Sequence, residues 1–283
     1  MSDRTAAWLQ YLLPKEAITQ FGSHIANARA GAITRAIICW FIKRYGVDMN
    51  EAADPQVESY ASFNLFFTRA LRQGARPLAN APWICPVDGA ISQCGTIERD
   101  QIFQAKGHHY PTRALVGGDA QLATRFDDGA FATLYLSPKD YHRIHMPVRG
   151  TLKRMLYVPG DLFSVNAATA RMIPGLFARN ERVVCEFDSA HGPFVLVLVG
   201  AAIVGSMATV WHGVVNPPRL GKVREWRYEG DAVVLEQGAE MGRFLLGSTV
   251  VMLFPKDALR FNPEWVPERV IRMGEAMGSA PAV

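Results

Sequence analysis

After about residue 80 the chain changes character. Short runs of Val, Ile, Leu, Phe and Tyr alternate with Gly, Asp-Gly and Pro turns. Such punctuation belongs to strands joined by tight connections. Strands are expected near 90–97, 101–105, 131–136, 151–158, 182–188, 194–199, 202–211, 231–236 and 248–254. The pattern predicts a mainly antiparallel β core. With 283 residues, 49% of them apolar, the chain can bury a real core. Its 24 Gly and 17 Pro are ordinary and exclude wholesale disorder, collagen and coiled coil. The length fits one large domain or two small ones.

One stretch competes with this reading. Between Gly192 and Pro218 there is no Asp, Glu, Lys or Arg, and Val195–Trp211 is strongly apolar. A hydropathy window reads it as a membrane-spanning helix. Gly200 and Gly205 interrupt it, Val and Ile dominate, and residues 188–192 look like a hairpin turn. Two buried strands are the better reading, so no spanning helix is expected.

Residues 1–46 read as helices. Trp8, Tyr11 and Leu12 form one apolar stripe before Pro14. Pro14 opens a second helix carrying Ile18, Phe21 and Ile25. A third face has Ile33, Ile37, Trp40, Phe41 and Tyr45. The first 50 residues hold six basic and three acidic side chains, most of the net +4. These helices suit either a cap packed on the core or an interfacial segment on anionic lipid. No dense Lys/Arg run supports nucleic-acid binding. The expected division is a helical segment over residues 1–60 and a β-rich domain over 61–283, an α+β chain.

Four dispersed cysteines, Cys39, Cys85, Cys94 and Cys185, form no C-x-x-C pair. They argue for a reducing compartment and against a disulfide framework or cysteine zinc site. The short apolar run Ala6–Leu13 lacks a signal-peptide cleavage site.

Three constellations can carry chemistry. In Phe244–Phe254 a Gly247-Ser248-Thr249 step interrupts an apolar strand. It is a bulge, or a serine whose hydroxyl lies against its own preceding carbonyl and can attack it, given a base. In Ser137–Pro147, His142 and His145 stand three apart, able to share one face of a helical turn or loop. They are structural, or ligands, or a general acid and base. No third ligand stands at metal-site spacing, so no metal is expected. Asp88-Gly89 is first a turn signal. Asp88 gains interest only as a carboxylate that orients a histidine.

Together these segments resemble the phosphatidylserine decarboxylase family in its bacterial, membrane-associated form. The likeness runs through Phe63–Arg69, Arg76-Pro77 and Val87-Asp88-Gly89. It continues through Lys106-Gly107, Tyr110, Leu115–Gly118, Tyr141–Pro147, Pro159–Asn166 and Asn180-Glu181-Arg182. It ends in Glu240–Phe244 with Leu246–Thr249. The ordered set is specific where no single block is. Gln237 stands where Lys is expected, and Pro111-Thr112 is atypical.

The resemblance implies a self-made cofactor. Ser248 attacks the Gly247 carbonyl, an N-to-O acyl shift gives an ester, and elimination leaves chains 1–247 and 248–283. The second begins with a pyruvoyl group derived from Ser248. His145 is implied as the base and Asp88 as its orienting carboxylate. The pyruvoyl ketone forms a Schiff base with the amine of phosphatidylserine and acts as the electron sink. His142 then protonates the carbanion, with Tyr141 nearby as a substrate-binding residue, and phosphatidylethanolamine is the product. The resemblance also implies that residues 1–60 associate with a membrane and that 61–283 is the catalytic domain, its β core a compact antiparallel barrel or sandwich, with an anionic membrane surface as partner, peripheral attachment at its cytoplasmic face, and a homodimer of two-chain protomers. Other classes remain: a serine hydrolase using Ser248, His145 and Asp88, a non-enzymatic lipid-binding barrel, and a soluble pyruvoyl amino-acid decarboxylase. A hydrolase would remain in one piece, and its serine would sit in a G-x-S-x-G elbow, which is absent.

Overall fold

The computed structural model describes residues 10–11, 14–201, 206–217, 219, 221–246 and 248–280. Helices come first and antiparallel sheets follow, as expected for an α+β chain. Helix α1 (Lys15–Asn27) starts directly after Pro14, and α2 (Ala32–Tyr45) follows a short turn. The two are bent by 111° relative to each other. Gly46 closes α2 in the left-handed conformation (φ 70°) and returns its N–H to the Ile42 carbonyl at 2.8 Å. Among the described residues no single helix is long and apolar enough to cross a membrane.

Helix α2 has two different sides. Ile38 is fully buried and packs with Val47 and Phe66, and Phe41 and Ile42 lie against this small cluster. Ile33, Ile37 and Trp40, at i, i+4 and i+7, are exposed, as are Phe21 and Ile25 of α1. Phe41 therefore faces the protein, against Phe63, Phe66 and Phe67, while Trp40 faces solvent.

Nine strands make one open antiparallel sheet. Their order is Arg224–Arg227, Gly150–Val158, Arg182–Ser189, Gly192–Val199, Ser248–Phe254, Ala130–Leu136, Gly89–Thr96 and Val270–Ile271, with Val234–Leu235 also on the 150–158 strand. Among the described residues its end strands do not meet, so the expected barrel is not closed. The sheet is buried on both faces. Val250, Met252 and Phe254 pack with Leu134, Leu196 and Leu198, whereas Val251 and Leu253 pack with Phe131, Val195 and Val197. Alternate side chains of a strand point to opposite faces, and here both faces need apolar groups. That is why 192–199 and 248–254 read as apolar runs, the first of them within the stretch that mimics a membrane helix.

A second sheet runs in the order Gly213–Val214, Met207–Thr209, Glu240–Phe244, Arg143–His145. Residues 202–205 of the expected 202–211 strand lie outside the described residues. Strands Arg143–His145, Arg224–Arg227 and Glu240–Phe244 were not expected. Each is short and carries charged side chains, so apolar runs do not reveal it.

Candidate active site

Residues 137–145 and 240–248 run antiparallel. Ser248 pairs with Leu136 in the main sheet. The Phe244 N–H donates to the His142 carbonyl at 3.1 Å. Farther on, Arg243 faces Arg143 and Glu240 faces His145. Ser248 thus begins the central strand beside the 137–141 loop, where the two sheets meet. Gly247 and the Ser248 side chain lie outside the described residues.

The loop is held by itself. Asp140 Oδ2 accepts from the Ser137 N–H at 2.7 Å, and the Asp140 N–H returns to the Ser137 carbonyl at 2.9 Å. His142 follows, fully buried, its ring 4.1 Å from that of Phe67. His142 Nδ1 is 2.7 Å from the Asp140 carbonyl. A carbonyl can only accept, so the bond assigns the proton to Nδ1 and the lone pair to Nε2. Nε2 is buried without a hydrogen-bond partner. Burial, aided by the Arg69 guanidinium and opposed by the Asp140 carbonyl, pushes the His142 pKa down to about 3.

His145 is oriented by backbone. Its Nδ1 donates to the Gly238 carbonyl at 2.7 Å, and its Nε2 accepts from the Tyr141 hydroxyl at 3.0 Å. Burial lowers its pKa, and the Gly238 carbonyl works against that. The helical-turn reading of the two histidines is corrected here. Arg143–His145 is a strand, so positions 142 and 145 point to opposite sides of the backbone and share no face. Among the described residues no three His, Cys, Asp or Glu side chains are placed to hold a metal.

Asp88 does not touch His145. It takes Arg76 Nε at 3.0 and 3.1 Å and Arg76 Nη2 at 2.5 Å, and accepts the Met273 N–H at 2.9 Å. Arg76 Nη2 also reaches Glu51 at 2.6 Å. The Gly238 carbonyl fills the place expected for Asp88. What Asp88 lends His145 is its charge at a distance, which favours the imidazolium.

A buried neutral histidine makes stability depend on pH. Its folded pKa lies below its unfolded value, so the unfolded chain binds the extra proton. Its contribution is complete above about pH 6.5 and is lost as pH falls toward 3. Unfolding free energy is expected to drop by about 1.4 kcal/mol per pH unit for this one proton. Urea titrations of wild type and His142→Gln at pH 7, 6 and 5 measure it. Equal slopes in the two proteins would contradict the assignment.

Comparison with known proteins settles the family. A family model described as "Phosphatidylserine decarboxylase" matches residues 63–279, and one described as "PSD" matches residues 5–46. A protein of Azoarcus sp. (strain BH72) named "Phosphatidylserine decarboxylase proenzyme" is 72% identical over 278 residues, 98% of this chain and 96% of the relative. Proteins of the same name from Methylibium petroleiphilum (69% over 281 residues) and Dechloromonas aromatica (67% over 279 residues) each match across 99% of both chains. The chain belongs to the phosphatidylserine decarboxylase family.

Several blocks that carry this family's likeness turn out to be buried polar fasteners. Asn180 Nδ2 donates to the Phe163 and Gly200 carbonyls, each at 2.8 Å. Glu181 receives Tyr157 Oη at 2.8 Å, Asn216 Nδ2 at 2.5 Å and Arg219 Nε at 2.7 Å. Arg182 holds the Leu115 and Ala114 carbonyls, each at 2.6 Å. Buried polar groups must be paired, which accounts for polar residues within apolar surroundings. The Gln237 departure has a local use. Its Nε2 donates to the Ala81 and Pro147 carbonyls at 3.0 and 3.1 Å. Pro111 ends a strand, and Thr112 N donates to the Asp100 carbonyl at 2.6 Å. Sequence reasoning named Arg69 and Arg76 as motif positions without a task, and only their three-dimensional neighbours supply one.

Proposed function

We propose that this chain is the precursor of an enzyme that cuts itself between Gly247 and Ser248 and then converts phosphatidylserine to phosphatidylethanolamine and CO2. The observation carrying this is the start of the central strand at Ser248, beside the 137–141 loop that leads into His142 and the strand bearing His145, each imidazole with its Nδ1 on a backbone carbonyl. The relatives' names supply the substrate and the word proenzyme.

In the self-cleavage, the Ser248 hydroxyl adds to the Gly247 carbonyl and the Gly247–Ser248 amide becomes an ester. Loss of the Ser248 α-proton then expels the Gly247 carboxylate, ending chain 1–247. The dehydroalanine left on chain 248–283 tautomerises and takes up water, releasing ammonia and leaving a ketone. His145 Nε2 has the lone pair this base chemistry needs. The Tyr141 hydroxyl donates to that nitrogen, so it must relay the serine proton or turn aside for it. Asp88 favours the resulting imidazolium through its charge, and Arg76 and the Met273 N–H fix Asp88 in place.

The residues present fit a pyruvoyl group. Strand pairing with Leu136 and Tyr135 would hold the first residues of chain 248–283, and the unpartnered His142 Nε2 is a buried polar atom that lacks a ligand. When formed, such a group supplies an electron sink for decarboxylation. His142 Nε2, whose lone pair is free, is the atom that would take up a proton during the reaction and pass it to the substrate carbon. Phe67 and the surrounding core keep water from that nitrogen.

The membrane side of the proposal rests on Phe21, Ile25, Ile33, Ile37 and Trp40, which leave an apolar face uncovered, and on Lys43 and Arg44 in the last turn of α2. The chain would lie peripherally on the cytoplasmic face, apolar side in the headgroup region. The resemblance supports a homodimer of processed protomers.

The test uses purified protein and vesicles containing phosphatidylserine. Two masses split after Gly247, with phosphatidylethanolamine and CO2 formed, are expected. Phe21→Ala/Trp40→Ala should weaken vesicle binding by roughly 100-fold or more, from two lost aromatic anchors at about 1.5–3 kcal/mol each. An intact chain that releases no CO2 would sink the reading, and unchanged binding would remove α1 and α2 from the lipid contact.

A further inference from the structure

A cavity of about 220 Å³ opens beside Asp88 and Tyr141, lined also by Arg69, Lys139, Asp140 and Gly46. Arg69 stands out within it. The residue is 5% exposed. Its Nη2 donates to the Lys139 carbonyl at 3.2 Å, and its guanidinium lies 5.4 Å over the Phe66 ring. Its Nε and Nη1 are buried with no hydrogen-bond partner. The nearby carboxylates are engaged elsewhere. Asp88 is held by Arg76, Glu51 by Arg76 and Arg272, and Asp140 by the Ser137 N–H. No carboxylate forms an ion pair with Arg69 among the described residues. A charge this buried is costly unless paired, so two idle donors beside a cavity mark a place where an anion belongs.

We propose that Arg69, with Lys139, binds the phosphodiester of the lipid substrate and thereby sets the serine headgroup against the 137–142 loop. The inference rests on the decarboxylase reading above. The headgroup offers two anions, a carboxylate and a phosphodiester. The carboxylate must leave as CO2, and a guanidinium clamped on it would stabilise the charged ground state and oppose the reaction. The phosphodiester persists from substrate to product, and a planar fork of N–H donors suits it. Position agrees. Gly46, on the cavity wall, directly follows α2, whose Ile33, Ile37 and Trp40 form the uncovered apolar face. The cavity therefore begins where the lipid-facing helix ends, the level at which a phosphate would lie.

The experiment measures KM and kcat for phosphatidylserine in mixed micelles with wild type, Arg69→Gln, Arg69→Lys and Lys139→Gln. Glycerophosphoethanolamine and free L-serine serve as soluble competitors. Arg69→Gln should raise KM roughly 10- to 100-fold, the worth of a charged hydrogen bond of about 1.5–3 kcal/mol. Its self-cleavage, read by intact mass, should be complete, and its kcat should fall by a much smaller factor than KM rises. Arg69→Lys should recover part of the loss. Inhibition by glycerophosphoethanolamine should weaken by the same factor while inhibition by serine stays constant. An unchanged KM in Arg69→Gln overturns the assignment, as does a loss confined to serine inhibition, which would give Arg69 to the carboxylate. Should Arg69→Gln not fold, Lys139→Gln decides, because Lys139 is exposed. A several-fold rise in KM supports the site and none overturns it. If wild type itself fails to decarboxylate, the function proposal falls on its own. Direct titration of glycerophosphoethanolamine into folded wild type and Arg69→Gln then judges the anion site.

Discussion

Ser248→Ala is expected to remain a single chain of about 31.3 kDa and to show no decarboxylation above background. Alanine has no hydroxyl to attack the Gly247 carbonyl, and no pyruvoyl group can arise from it. The fold should survive, because position 248 enters the sheet through its backbone, opposite Leu136. Wild type should divide into two masses under denaturing conditions and migrate as one species under native ones. The 248–254 strand is hydrogen-bonded to 192–199 on one side and 130–136 on the other, and its side chains are buried on both faces of the sheet. Denaturing and native electrophoresis of both proteins, with a CO2 assay, checks each part. Cleavage in Ser248→Ala would transfer the nucleophile to another residue and dismantle the proposed chemistry.

The second large effect is on stability. Asp88→Asn removes the charge partner of Arg76, whose side chain is only 5% exposed. Breaking a buried pair from one side leaves an uncompensated charge and costs about 3–5 kcal/mol. Here the loss is expected near the lower figure, since Glu51 continues to hold Arg76 Nη2. The Met273 N–H can still donate to the remaining amide oxygen, so most of the change belongs to Arg76. Urea unfolding in the Ser248→Ala background isolates it from processing. Arg76→Met/Asp88→Asn should regain much of what Asp88→Asn alone loses. A double variant as unstable as the sum of the two single ones would place the value of Asp88 elsewhere, for example in the Met273 contact.

How much of this could be read from the sequence depends on which force shapes each element. The long strands were legible because burial on both faces demands unbroken apolar runs, as in Val195–Val199 and Val250–Phe254. The strands 143–145 and 240–244 were not, because each is short and sets Arg, His or Glu beside its buried Ile144, Met241 or Phe244, so that no apolar run marks it. His142 and His145 were recognisable as chemical residues, but not as residues on opposite sides of a strand. Asp88 looked like a partner for histidine, since one-dimensional spacing cannot disclose that Arg76 lies closer. Arg69 stood in a motif but carried no local sign of its task. Its meaning comes from what fails to surround it, and that is a property of three dimensions. Phe41 and Trp40, adjacent in sequence, divide between core and exterior because a helix turns by roughly 100° per residue.

The place of the 248–254 strand has a consequence for the order of events in the life of the chain. A strand between two others can be inserted while it is tethered, since closing a loop within one chain carries a modest entropy that grows slowly with length. After the proposed cut, the same insertion would join two separate molecules, and its rate would depend on their concentration. Folding must therefore come before cleavage. The processed protein, once unfolded, would regain its sheet only by a second-order encounter of a long chain with a short one that begins in an apolar strand. Covalent continuity serves assembly once, and afterwards strand pairing and contacts such as that of the Met273 N–H with Asp88 would keep the two pieces together.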